Sequence, residues 1–271
     1  VFSAFGSYSP IHNRYEYPNE WLFALNKCAH SEVGSLHRNT EFALPLGFRQ
    51  VGSAQLAQLS ALQSALHINP VPCLVVGRDG PVTLQTPVGR LSSMVVLADC
   101  RTPHIIDSSS DVLIAFLEHP KAQSLPMTTF DRSVRQTLPI QISEWCADHV
   151  DWLYQLLKLD ALTDDNEMRQ IVEHIEADPM NRLCAVEAMA ISGLERTTFL
   201  KRFKRYTGMT FRRFKSWSAF KHASRQLEEG QSLGTVALDA GFADAAHFSR
   251  YCRQGFGYAP STIRSLLPGL S

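Results

Sequence analysis

The sequence predicts an α+β N-terminal domain, a small antiparallel sandwich or barrel with helices, followed by an all-α domain with two helix-turn-helix motifs. Three observations carry this. Short β-rich runs separated by Gly, Pro, Asp and Ser clusters fill the middle of the first half. A pattern of glycine, aromatic and basic residues is written twice in the last third. A length of 271 residues is enough for two separate cores. The domains are drawn at 1–160 and 161–271, with the two motifs at 183–208 and 233–257.

Residues 21–29, Trp-Leu-Phe-Ala-Leu-Asn-Lys-Cys-Ala, have the composition of a strand, whereas 37–50 hold too many breakers to assign. Ser53 sits where an N-cap would, and Leu56, Leu59, Leu62 and Leu66 recur along one face of a helix expected to run to about His67. After Pro70 and Pro72 the period switches, and strands are expected at 73–76, 82–85, 93–97 and 112–117. Ser143 is placed to cap a helix to about Leu159, with Trp145, His149, Trp152, Leu153, Leu156 and Leu157 along one broad apolar face. That face either packs on the chain's own sandwich or is left for a partner. A further helix spans 165–177 and ends before Pro179.

The first copy of the repeat begins Gly193-Leu-Glu-Arg-Thr-Thr-Phe-Leu-Lys201, and the second begins Gly241-Phe-Ala-Asp-Ala-Ala-His-Phe-Ser-Arg250. Allowing the second turn one extra residue aligns Phe199 with Phe248, Lys201 with Arg250, Lys204 with Arg253 and Gly208 with Gly257. Gly193 and Gly241 stand where the chain leaves a short apolar helix, a place that favours a left-handed residue. Phe199, Phe203 and Tyr206, or Phe248 and Cys252, then recur at helical spacing and form the expected buried stripe. Outward go Arg196, Thr197, Lys201 and Lys204 in the first copy, and Ala246, His247, Arg250 and Arg253 in the second. A helix at 210–229, capped by Thr210, joins the copies with Phe211, Phe214, Trp217, Phe220, Ala223 and Leu227 toward the core.

Charge separates this region from an ordinary solvated helical hairpin. From Glu195 to Arg225 there are ten Lys or Arg against one acid. The whole chain is neutral, but residues 1–160 hold 11 basic and 14 acidic residues, net −3, and the rest 15 and 12, net +3. A local basic field over two helix-turn-helix motifs is the footprint of a nucleic-acid partner.

The residues Ser232-Leu-Gly-Thr-Val-Ala-Leu-Asp-Ala-Gly-Phe242, His247-Phe-Ser-Arg250 and Phe256-Gly-Tyr-Ala-Pro-Ser-Thr-Ile-Arg264 make the last hundred residues resemble the DNA-binding domain of AraC/XylS-type bacterial transcription regulators. Cys252 and Ile263 stand where that family usually carries Phe and Tyr, and Leu200 takes an outward position that is more often polar. The resemblance implies that Arg196, Thr197, Lys201, Ala246, His247 and Arg250 face base edges of double-stranded DNA. Lys204, Arg205, Ser232 and Arg253 would hold phosphates. It further implies a cupin-like sensor domain that binds a small-molecule effector. Ala98-Asp-Cys-Arg-Thr-Pro-His-Ile-Ile106 loosely resembles the cupin Pro-His strand entry; His104, Trp21 and Phe23 are read first as structural core residues, with effector contact as the alternative. A homodimer seam through Trp145, His149, Trp152, Leu153 and Leu156 is implied as well, and so is RNA polymerase as a partner if the protein activates.

Other classes find little support. The six cysteines are never closer than 27 residues and form no Cys-x-x-Cys, and no His-x-His occurs, so neither a metal nor a cofactor is expected. No Ser-His-Asp set, paired carboxylate or phosphate-binding glycine motif stands out. With no signal-peptide pattern and no apolar run of transmembrane length legible, a cytoplasmic, non-enzymatic regulator without membrane contact is expected. The alternatives are a cupin-type enzyme fused to a DNA-binding module and a regulator whose sensor domain has lost its ligand.

Overall fold

The computed structural model describes residues 47–159, 164–178 and 183–267, and every structural statement below is made of those residues. The N-terminal part holds ten strands: β1 (Phe48–Val51), β2 (Ala54–Leu59), β3 (Leu62–Gln63), β4 (Cys73–Gly77), β5 (Val82–Thr86), β6 (Gly89–Ser93), β7 (Val95–Ala98), β8 (Ile105–Ser108), β9 (Val112–Leu117) and β10 (Thr128–Phe130). They form two antiparallel sheets, one in the order β1-β2-β9-β4-β7-β10 and one in the order β3-β8-β5-β6. β9 reads Val-Leu-Ile-Ala-Phe-Leu and is buried at every position, because it lies between β2 and β4 with both faces covered. β6, Gly-Arg-Leu-Ser-Ser, is the polar edge of the smaller sheet. The run expected as one strand at 93–97 is divided, since the chain passes from one sheet to the other at Met94.

The helix expected from Ser53 to His67 is absent. That stretch forms β2 and β3, with Ala61 left-handed (φ 63°) between them. Leu56 and Leu59 are buried on β2, Leu62 follows the turn, and Leu66 is 59% exposed. The three-residue leucine spacing therefore arises from two strands joined by a turn. β2, paired on both sides and buried on both faces, shows no alternation to reveal it.

The next helices are α1 (Arg132–Thr137), capped by Asp131, and α2 (Ala147–Leu156). α2 begins later than Ser143 suggested: Ile142–Glu144 is a 3-10 turn and Cys146 is the N-cap. Trp145 thus lies before the helix, buried, its indole N–H donating to the Pro139 carbonyl at 3.1 Å.

The C-terminal part comprises α3 (Asn166–Ala177), α4 (Ala185–Ser192), α5 (Arg196–Thr207), α6 (Phe211–Glu228), α7 (Leu233–Asp239), α8 (Ala245–Phe256) and α9 (Pro260–Ser265). Thr210 caps α6 by accepting from the Arg213 N–H, and all six core-facing residues expected of that connector are buried. Phe116 of β9 stands 5.3 Å from Trp217 of α6 and 5.8 Å from Phe256 of α8, ring centre to ring centre. Phe220 stacks on Phe256 at 4.2 Å. One apolar core therefore runs from the sheets into the helices.

Candidate nucleic-acid interface

Each helix-turn-helix is built from the elements its sequence proposed. α4 ends at Gly193 (φ 64°) and α7 is followed by Gly241 (φ 83°), both left-handed, and the chain then turns into α5 and α8. Phe199 and Phe203 of α5, and Phe248 and Cys252 of α8, face inward and are buried, while Tyr206 is half-buried. Leu200, expected to face outward, is partly buried against the same core. The Asp244 carboxylate caps α8 by accepting from the His247 N–H at 2.6 Å.

On the outer face of α5, Arg196, Thr197, Lys201, Lys204 and Arg205 are exposed; on α8, Ala246, Arg250 and Arg253 are exposed and His247 is half-buried. None of these basic residues forms an ion pair among the described residues, and Arg250 in particular does not engage Asp239 or Asp244. Arg202 behaves differently. It forks onto Asp165 at 2.8 Å and reaches Glu167 at 2.7 Å, tying α5 to the start of α3 and leaving the outer face to unpaired cations. The Ala243 N–H donates to His247 Nδ1 at 3.4 Å. Ser232 caps α7, its hydroxyl accepting from the Thr235 N–H.

A shallow groove runs between α6 and α8, lined by Arg212, Ser216, Ala243, His247, Arg250, Tyr251 and Gln254. Arg212 escaped the sequence reading because it lies on the connector; its place in the ten-residue basic count was the only signal. The Tyr251 hydroxyl is buried there without a hydrogen-bond partner among the described residues, and burial raises its pKa.

Of the residues marked for effector contact, His104 lies among the described residues. Trp21 and Phe23 lie outside the described residues. His104 is buried and satisfied, Nδ1 against the Thr102 carbonyl at 2.8 Å and Nε2 against the Asn69 amide at 3.2 Å, with its ring edge-on to His67 at 4.6 Å. A cavity of about 40 Å³ lies instead between the sheets and the last helices. Its walls are apolar, among them Leu59, Ile106, Ile114, Phe116, Phe220, Phe256 and Ile263, with Ser64, His67, Asn69 and Tyr258 as the polar members. Four of these, Phe220, Phe256, Tyr258 and Ile263, come from the helical part, so no reading of the first half alone could have found the site. Of the expected dimer seam, Trp145, His149, Leu153 and Leu156 are buried in the chain's own fold and only Trp152 is partly open.

A helix-turn-helix domain family matches residues 189–265. A probable AraC family transcriptional regulator from Rhodopseudomonas palustris is 30% identical over the whole of its chain and 38% of this one, with a TM-score of 0.35. The chain belongs to the AraC/XylS family. The transcriptional activator RhaS of Klebsiella pneumoniae is 27% identical over 39% of this chain and 38% of the relative, so the match spans well under half of that protein. Beyond the helix-turn-helix region, the likeness is of fold. The apo form of a ToxT variant from Vibrio cholerae is 14% identical, covers 81% of this chain and all of its own, and has a TM-score of 0.54. ToxT with an unsaturated fatty acid bound is 13% identical with a TM-score of 0.52, over 82% of this chain and 98% of its own. A β-rich N-terminal region followed by a helical C-terminal region is the layout this chain shares with these structures. No helix among the described residues is long and apolar enough to cross a membrane.

Proposed function

We propose that this AraC/XylS-family chain is a sequence-specific, double-stranded-DNA-binding transcription regulator that does no enzymatic chemistry. The observation that carries it is the pair of α5 and α8 outer faces, both basic and unpaired, held by a buried aromatic connector. Two such helices read successive major grooves about 34 Å apart when the connector between them is rigid. Arg196, Thr197, Lys201, Ala246, His247 and Arg250 are assigned to base edges, and Lys204, Arg205, Ser232 and Arg253 to phosphates, with Arg212 added at the α6–α8 groove. Binding-site selection from random duplexes, followed by footprinting, tests it: two protected half-sites about one helical turn apart are expected, and enrichment of no sequence would overturn it.

The effector site is assigned to the cavity between the sheets and α8–α9. Its chemistry suits a compact apolar molecule with one hydrogen-bonding group directed at Ser64, His67 or Asn69. A cavity of about 40 Å³ holds little more than a water or two, so an occupant must widen it. The fatty acid bound to ToxT, a protein of the same layout, is in keeping with an apolar ligand. A homodimer, contact with RNA polymerase and a cytoplasmic location belong to the same proposal, with Trp152 the one seam residue still open to a partner.

A further inference from the structure

The two repeats dock on the β-rich region at equivalent points. α5 ends at Gly208 (φ 74°) and α8 at Gly257 (φ 75°), which are aligned residues of the two copies. A Cβ at Gly208 would stand 2.7 Å from the Cα of Pro120 and 2.9 Å from its carbonyl oxygen. One at Gly257 would stand 2.5 Å from the carbonyl oxygen of Ala65 and 2.9 Å from its nitrogen. Gly193 and Gly230 are left-handed too (φ 64° and 73°), yet a Cβ at either meets nothing within 4 Å. Of these four left-handed glycines, the two that end the outer-face helices are the ones closely met by the β-rich region.

The two docks differ in kind. At Gly208 the 3-10 turn Pro120–Ser124 abuts the helix end. At Gly257 the segment from Ser64 to Asn69 is hydrogen-bonded to it: the Ala65 N–H donates to the Gly257 carbonyl at 3.2 Å and the Ile68 N–H to the Gln254 carbonyl at 3.0 Å. The latter satisfies a carbonyl that the last turn of a helix leaves open. On its other side the segment is held by the Ile106 N–H donating to Ser64 Oγ at 2.8 Å and by reciprocal backbone bonds between His67 and His104. Ser64, His67 and Asn69 also line the cavity. Walls from β2, β4 and β9 belong to strands paired on both sides, whereas the Ser64–Asn69 strap lies outside the named strands and is the wall bonded directly to the last turn of α8.

We propose that this strap positions the second reading helix, α8, for its half-site, and that the state of the cavity reaches DNA through α8 alone while α5 is held independently at Pro120. The proposal rests on reading α5 and α8 as the DNA-reading helices. It names Ser64, Ala65 and Ile68 as positioning residues of the β-rich region that touch no DNA.

The test uses the full chain, the duplex selected by the parent protein, and two versions of it with one half-site scrambled. Gly257→Ala is compared with Gly230→Ala, which carries the same left-handed penalty without the close approach. Gly257→Ala is expected to weaken the parent duplex about tenfold beyond Gly230→Ala and to make scrambling of the α8 half-site nearly silent. Ser64→Ala, far from DNA, should give the same selective loss in smaller measure. Should Gly257→Ala not fold, Ser64→Ala and hydrogen exchange of the parent protein decide. The Ala65 and Ile68 amides should exchange in step with the last turn of α8 and not with that of α5. The proposal is overturned if Ser64→Ala weakens both half-sites alike, or if Gly257→Ala matches Gly230→Ala. A parent protein that selects no sequence would instead remove the DNA-reading assignment itself, and the proposal with it.

Discussion

The ammonium of Lys221 lies 2.7 Å from a carboxylate oxygen of Glu118, the residue after β9, and 2.6 Å from one of Glu176 on α3, so one connector side chain binds three elements. The Lys221 side chain is 8% exposed and that of Glu118 10%. Burial opposes the charge on Lys221, but the two carboxylates beside it hold the ammonium above its ordinary pKa. A buried pair is weak evidence of net stabilisation, yet breaking it leaves a charge without a partner.

Lys221→Ala should therefore cost about 3–5 kcal/mol, and Lys221→Met with Glu118→Gln should recover most of that. Denaturant unfolding of the two variants measures it. Equal losses in the single and double variants would show that the cost comes from packing around the lysine stem rather than from the stranded carboxylate.

Trp217 is wholly buried, 5.3 Å from Phe116 and stacked 5.7 Å from Phe220. Trp217→Ala should cost about 3–5 kcal/mol, and Trp217→Gly about 1 kcal/mol more from helix propensity. Because the ring joins the connector both to β9 and to Phe256 of α8, two-half-site affinity should fall as well. Unchanged melting and unchanged affinity in Trp217→Gly would contradict this.

Burial lowers the pKa of His67 from 6.5 to about 4, against the backbone bond to Ala65 that favours the proton. The folded chain keeps the ring neutral, so the unfolded chain takes up the proton first as pH falls. The penalty begins near pH 6.5 and is complete near pH 4, reaching about 2 kcal/mol at pH 5. Melting temperature should drop between pH 7 and pH 5, and His67→Gln should flatten that drop. An equally steep drop in His67→Gln would assign it to other groups.

Much of the helical part was legible because it uses local chemistry. Gly193, Gly241 and Thr210 announce turn and cap by residue type, and the aromatic spacing of the connector fixes its buried face. Where local spacing does not decide, tertiary contact does. Leu56, Leu59 and Leu62 mimic a helix because Ala61 turns the chain between two strands. For the broad Trp145–Leu156 face, spacing alone leaves packing on the sandwich and contact with a partner equally open; Trp145, His149, Leu153 and Leu156 are buried within the chain and Trp152 is partly open. The cavity is assembled from β2, β4, β8 and β9 together with α6 and the residues around α9, so no single window of sequence contains it.

In the proposed function, α5 and α8 read sequence while their flanking cations only hold the backbone. Arg250 is exposed at the groove face of α8, where arginine can bond guanine O6 and N7 together, a discrimination of about 1–3 kcal/mol. Arg205 lies in the last turn of α5, where phosphates are the expected partners. Binding-site selection with the parent, Arg250→Ala and Arg205→Ala, joined to salt titration of affinity, tests this most directly. Arg250→Ala is predicted to relax preference at one or two positions, while Arg205→Ala keeps the parent's sequences, weakens them all and lowers the salt slope by about one. Selection of the same sequences by Arg250→Ala as by the parent would show that Arg250 does not read the bases.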